Sequence, residues 1–265
     1  MVRFLVRRLG MLVVTLLVSS FVIYSTLYIA PGNPIATLTG GRTPSPGAIE
    51  VLEERYNLND PFFVRYLKWL GNALTGDLGV SIQLRQDVTT IISQRIGTTI
   101  QLVAYASLLI IVAGIGLGVL SGLKRGFVDG TVIVITTVAA AVPAFVAAAL
   151  LLYLLAVKLG WFPALGTGDG FLDTIHHLTL PAVALALAAT ALVARVTRAS
   201  VREESQREHV QTAISRGIPY GTVIRRHVLR NAAIPITTVV GLTIASLFAA
   251  SAVVERAFTL NGIGA

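Results

Sequence analysis

An all-α protein that crosses a membrane several times is the fold class this sequence predicts, on three observations. Hydrophobic residues fill 54% of its 265 positions and charged residues only 13%, whereas a soluble domain carries roughly a quarter charged. Five windows contain no Asp, Glu, Lys or Arg: Leu9–Ala30, Ile96–Leu123, Gly130–Val157, Leu178–Ala194 and Asn231–Val254. Each approaches or exceeds the ~20 apolar residues that cross a hydrocarbon core as a helix, the fourth being the shortest. Cysteine is absent, which excludes a disulfide framework and any thiolate metal or redox site.

The first window follows RFLVRR, as a signal peptide does. Its apolar run is longer than the ~7–15 residues of a signal h-region, and no small-x-small cleavage site precedes Pro31, so it is expected to stay as an uncleaved anchor. The segment from Pro31 to Arg95 is too long for a structureless connection. SPGAIEVLEERYNL and PFFVRYLKWLGNAL both carry apolar residues at helical spacing (Ile49, Leu52 and Tyr56; Phe63, Tyr66, Leu67, Leu70 and Leu74), which predicts two short amphipathic helices. They either pack on the outer ends of the spans, with Tyr66 and Trp69 at headgroup level, or offer a docking surface to an external partner. Residues 1–95 thus form an anchor with an external helical segment, and 96–265 the core of the membrane part.

Within the spans, Gly114, Gly118 and Gly122 form a small-xxx-small row suited to close helix approach. Pro143 lies mid-span and is expected to kink the third helix, either to shape the bundle or to serve gating. Pro181 and Pro235 are read as lying near helix starts, where proline costs little.

The basic residues set the orientation. With the N-terminus in the cytoplasm, thirteen Lys and Arg fall inside, among them Arg3, Arg7, Arg8, Lys124, Arg125 and the eight arginines from Arg195 to Arg230. Eight fall outside, six of them in one long loop that weighs little in the positive-inside rule, while nine of the thirteen acids are outside. The net charge of +8 is therefore mostly topology, and nucleic acid is not an expected partner.

The inside segment before the fifth window is built with care. Residues 203–217 are predicted to form a short helix, with Ser205 and Glu208 at capping-box spacing. Val210, Ala213, Ile214 and Gly217 share one apolar face, and Gly217 followed by Pro219 stops the helix. Such a helix could lie on anionic headgroups, or its arginines could only hold the loop inside. Its apolar face is narrow and lacks Trp, Phe and Leu, which favours insertion into a groove of a partner protein.

Other functional classes find little support. The five windows hold no ionisable residue, so nothing in them couples transport to protons, which weighs against a secondary transporter or channel. His176 and His177 are adjacent in an external loop, and His209 and His227 stand among arginines; none forms an HExxH or a comparable metal or catalytic set. The chain has no GxxxxGK[ST], so an active transporter of this build must draw on ATP and Mg bound by other subunits, with no cofactor of its own.

QTAISRG followed by HVLRNAAIPI resembles the cytoplasmic EAA-type signature of bacterial ABC importer permeases. Gln211, Thr212 and Ala213 match the EAA triplet, departing from it at two of three positions. Gly217 matches the signature's glycine, and Ile234 and Pro235 its hydrophobic–proline pair. RRLGMLVVTLLVSS with YIAPGNP, then YNLNDPFFVRYLKWLGNALTGDLGVSI, resembles the N-terminal portion of dipeptide, oligopeptide and nickel permeases, with Asn33 in place of the usual acid. RIGTTIQL and GVLSGLKRG are similar to that family's second span, so the likeness covers essentially the whole chain. The resemblance implies a type I permease fold with six spans, five of them here and the sixth expected beyond residue 265. It also implies a multi-pass inner-membrane subunit that pairs with a homologous permease, two ATP-binding cassette ATPases and an extracytoplasmic binding protein. Peptides are the implied cargo, with nickel chelates or another small solute as the alternative. The residues implied to couple to the ATPase are Glu208, Val210, Gln211, Thr212, Ala213, Ile214, Arg216 and Gly217, and those implied to shape or gate the bundle are Pro143, Pro235, Gly114 and Gly118.

Overall fold

The computed structural model describes residues 1–29, 59–81, 84 and 86–265. The helix expected over SPGAIEVLEERYNL lies outside these residues. The chain divides into two compact units, Met1–Gln94 and Arg95–Ala265.

In the first unit, α1 (Val2–Ile29) is an unbroken 28-residue helix, about 42 Å long at 1.5 Å per residue and so able to span a bilayer. The second helix, α2 (Phe62–Leu74), starts directly after Pro61 and packs on the later turns of α1. Its contact face is Phe62, Tyr66 and Trp69, set against Phe21 and Tyr24 with ring centroids 5.2–5.8 Å apart. Tyr66 is buried, and its hydroxyl shares a 2.9 Å hydrogen bond with Ser20 Oγ. Phe63 and Leu67, expected on the same apolar face, are instead exposed. Tyr66 and Trp69 thus serve helix packing.

The second unit begins within α3 (Val88–Leu109), which passes through a π-helical turn (Ile110–Ile115) into α4 (Gly116–Leu123). Then follow α5 (Phe127–Ala141), α6 (Ala144–Leu151) with a second π-helical stretch (Leu152–Lys158), and α7 (Phe171–Ser205). After α8 (Glu208–Ser215), the short α9 (Tyr220–Val223) and a π-helical turn (Ile224–Val228) lead into α10 (Leu229–Ala257). Among the described residues, four helical stretches are long and apolar enough to cross a membrane: Val2–Thr26, Val88–Leu123, Phe171–Ser205 and Tyr220–Ala257. The pair α5 and α6, bent by 99°, makes a fifth if it counts as one span. The break follows from Pro143, which has no N–H to donate and pushes Val142 into the extended region at ψ 116°. Pro143 therefore does more than kink the third span; it divides it.

The central element is α7. At 35 residues, or about 52 Å, it exceeds the ~30 Å hydrocarbon core, so at least one end projects from the bilayer. It is also longer than the Leu178–Ala194 window. Leu178, Leu180, Ala184, Leu185 and Val193 pack with Leu102, Ala106 and Ile110 of the α3 span, Ala147 and Ala148 of α6, and Leu247 and Val254 of α10. Pro181 and Pro235 correct the expectation of a place near helix starts, since both sit in helix interiors, in α7 and α10. A bundle permits this because packed neighbours and side-chain hydroxyls take over freed carbonyl groups.

The glycine row explains how closely α7 is held. A Cβ on Gly114 would meet Val193, one on Gly118 would lie 2.4 Å from Thr197 Cβ and 2.7 Å from the Ala194 carbonyl, and one on Gly122 would meet Val201. The partners advance in step, so the α3–α4 span and α7 run parallel with their backbones in close approach. Hydrophobic force is weak between helices in lipid, and such close packing takes its place.

Charge is buried at both ends of this unit. At one end, the Asp129 carboxylate accepts Arg198 Nε and Nη2 at 2.5 and 2.7 Å, Arg202 Nη1 at 3.1 Å and the Ser121 hydroxyl at 2.5 Å. This ties α4, α5 and α7 together through a two-pronged charge-assisted contact. At the opposite end Glu255 is fully buried; its Oε1 accepts Thr99 Oγ1 at 2.7 Å, and its Oε2 accepts the Gly264 N–H at 2.8 Å. Both acids stand just beyond charge-free windows, and the hydrogen bonds to each carboxyl come from donors on neighbouring elements.

Two outcomes follow for stability. Gly118→Leu should force α4 away from α7, cost about 1–3 kcal/mol and lower the unfolding midpoint in detergent. An unchanged midpoint would contradict the close approach. Asp129→Ala, which strands Arg198, should lower the same midpoint more than Asp129→Asn, which still accepts from Ser121.

Candidate coupling site

The site lies at the end of the second unit that carries Lys124, Asp129 and the arginines of α7. There α7 stops at Ser205, Gln206 turns, and Arg207 is extended (φ −70°, ψ 148°) before α8 begins at Glu208. The expected helix over 203–217 is thus two elements, and the capping box does not form. Ser205 Oγ donates back to the Val201 carbonyl at 2.6 Å, because a serine in the last turn of a continuing helix finds that acceptor first. Glu208 occupies the first turn of α8, where its charge complements the positive end of the helix dipole. The Gln211 side chain reaches the Ser205 carbonyl at 3.2 Å and satisfies one of the free acceptors at the end of α7.

The far end of α8 is fixed by backbone geometry. Gly217 has φ +75°, its N–H donates to the Ile214 carbonyl at 2.9 Å, and the Ile218 N–H reaches the Ala213 carbonyl at 3.3 Å. These two bonds are the Schellman stop, which needs a residue at ease in the left-handed region. Pro219 then turns the chain into α9. The predicted stop at Gly217 and Pro219 is present.

The apolar face of α8 is turned into the chain's own packing and not towards a partner. Val210 and Ala213 are only 2% and 4% exposed, and they pack with Val201, Val223, Val228, Ala232 and Ile236 of the same chain. Their small size lets α8 sit close against the end of α7, α9 and the π-helical turn that leads into α10. They are therefore not free to enter a partner's groove. Of the residues expected to couple, Glu208, Gln211, Thr212, Ile214, Arg216 and Gly217 are exposed, joined nearby by Tyr220, Arg225 and Arg226. Gly221, Thr222, Arg225 and Arg226 line a recess of about 420 Å³ beside them. The outward surface is thus polar and cationic, with Ile214 and Tyr220 as its apolar points.

A polar cluster that sequence reasoning missed braces α8 from behind. Glu204, 8% exposed, accepts Asn231 Nδ2 at 2.9 Å and lies 3.1 Å from His209 Nε2 and 3.2 Å from Arg207 Nε. Asn231 Nδ2 is also 3.3 Å from His209 Nε2. The Asp129 cluster was missed as well, although Arg198 and Arg202, one turn apart on the same helix, were a readable signal for a shared acid. Elsewhere, His176 Nε2 lies 3.0 Å from the Trp161 carbonyl, and His177 Nδ1 is 3.3 Å from Asp173 Oδ1. Among the described residues no three His, Asp or Glu side chains gather as a metal-ligand set. Pro143, Gly114 and Gly118 lie in the bundle, and Pro235 precedes Ile236 of the apolar cluster that covers the inner face of α8.

Comparison with known proteins agrees along the whole chain. Residues 114–265 match the model of the binding-protein-dependent transport system inner membrane component family, and residues 1–103 match the N-terminal model of such membrane components. A dipeptide transport system permease of Alkalihalophilus pseudofirmus is 33% identical, with 100% of this chain and 86% of that protein aligned. An oligopeptide transport system permease of Bacillus subtilis is 35% identical, over 100% of this chain and 85% of that protein. A glutathione transport system permease of Pectobacterium atrosepticum is 32% identical over the same shares. With matches of this extent, the chain belongs to the family of inner membrane components of binding-protein-dependent transport systems.

Proposed function

We propose that this chain is one of two permease subunits of an ATP-driven importer that carries peptides across the bacterial inner membrane. The cargo reading rests on the relatives, which are named for dipeptides, oligopeptides and glutathione, all of them peptides. Nothing comparable favours nickel chelates. We place the N-terminus and α8 in the cytoplasm, a reading supported by the basic residues in both segments.

The observation that carries the mechanism is α8. It is a short helix with a fixed stop, braced against two long membrane helices, and it turns a polar face outward beside Arg216, Arg225 and Arg226. ATPase subunits that bind ATP and Mg grip this face through Thr212, Ile214, Arg216 and Tyr220. Their closing and opening moves α7 and α10 and so switches the permease pair between inward-facing and outward-facing states. An extracytoplasmic binding protein delivers peptide to the opposite end. Tight substrate selection resides in that protein, which suits a pathway built from uncharged helices.

The test uses exposed positions, because Ala213 is part of the chain's own packing and its loss would disturb the fold. Thr212→Trp and Arg216→Glu should leave membrane insertion intact while transport and ATPase retention on the purified permease fall about tenfold or more, the loss of a contact worth ~1.4 kcal/mol or above. Full transport by both variants would refute the docking face.

A further inference from the structure

Apolar packing alone would leave α8 free to slide. Val210 and Ala213 press on a surface of valines and alanines, and such contacts have no preferred direction along the helix axis. The Glu204 cluster removes that freedom. Glu204 belongs to the last turn of α7, Arg207 and His209 to the lead-in and first turn of α8, and Asn231 to the first turn of α10. One carboxylate, with 11% of its side chain exposed, thus bridges three elements. Its Oε1 faces both Asn231 and His209, and its Oε2 faces Arg207. His209 Nε2 either donates to Glu204 or accepts from Asn231, and in both tautomers the carboxylate keeps Asn231 and Arg207 as donors. Moving α8 along either long helix would break these bonds and leave a largely buried charge unpaired, a penalty much larger than a shift in apolar contact.

We infer that Glu204 is a positioning residue that makes α8, α7 and α10 one lever during transport, with Asn231 as its anchor on α10. This rests on the reading that α8 is the face gripped by the ATPase subunits. Glu204 stands behind that face, so it governs how motion is passed on and not whether the subunits bind.

The experiment places the permease pair, the ATPase subunits and the binding protein in liposomes. It measures two quantities: ATPase subunit retained on the purified permease, and peptide carried per ATP hydrolysed. Glu204→Leu and Asn231→Leu should retain the subunits and hydrolyse ATP, while peptide carried per ATP falls about tenfold. Glu204→Gln should lose less, because its amide oxygen still accepts from Asn231. A merely structural role would lower the yield of assembled complex and leave the ratio at the wild-type value. An unchanged ratio in assembled Asn231→Leu and Glu204→Gln complexes overturns the lever, including where Glu204→Leu fails to assemble. Wild-type permease that retains no ATPase subunit would overturn the docking reading itself, and the lever with it.

Discussion

Close backbone approach between α7 and the α4 span is the constraint from which the rest of the structure follows. In lipid, two apolar helices gain little by touching unless their surfaces interlock. Gly118 supplies the interlock, since any side chain there would occupy the space of Thr197 and the Ala194 carbonyl. Gly114 and Gly122 repeat the fit one turn to either side. The parallel pairing this fixes leaves α7 as the axis on which α6 and α10 pack, and whatever is joined to the end of α7 inherits its position.

Two kinds of contact then divide the work. Apolar and small residues set distances inside the bundle, where directional bonds are few. Buried carboxylates set registers at its ends: Asp129 between α4, α5 and α7, Glu204 between α7, α8 and α10, and Glu255 between α3, α10 and the following loop. Each sits where a helix meets a turn, so free backbone or arginine donors are at hand. A bundle held in this way can move as whole helices while its ends keep their connections. That suits the proposed function, in which force enters at α8 and is passed to α7 and α10.

Much of this was legible in the sequence, for physical reasons that also mark where reading stopped. Charge-free windows located the spans because an unpaired charge cannot remain in hydrocarbon. The same rule ended the α7 window at Arg195, whose Nη2 donates to the Thr136 carbonyl at 3.4 Å, and the helix runs on past it and past Arg198 and Arg202, which Asp129 pairs from another helix. Pro143 was recognised as a disruption, but how far the chain turns depends on its neighbours. Pro181 and Pro235 looked like helix starts because a sequence does not show which neighbours donate to the freed carbonyls. Ser205 and Glu208 had the spacing of a cap, yet Ser205 closes α7 and Arg207 stands at the cap position of α8. The periodicity of α8 correctly put Val210 and Ala213 on one face. It could not say that this face is covered by the chain's own Val201, Val223 and Ala232. The Glu204 cluster joins residues 27 positions apart, Glu204 and Asn231, and no local pattern links them.

The central claim is that the outward face of α8 lies against an ATPase subunit in the assembled transporter. The chain contains no cysteine, so a single Thr212→Cys places one reactive thiol on that face. Cross-linking from this thiol in the complete complex is the most direct measurement. The account predicts an adduct with the ATPase subunit whose yield changes when ATP is added. A thiol that reacts only with small reagents, as freely with the ATPase subunits present as without them, would contradict it.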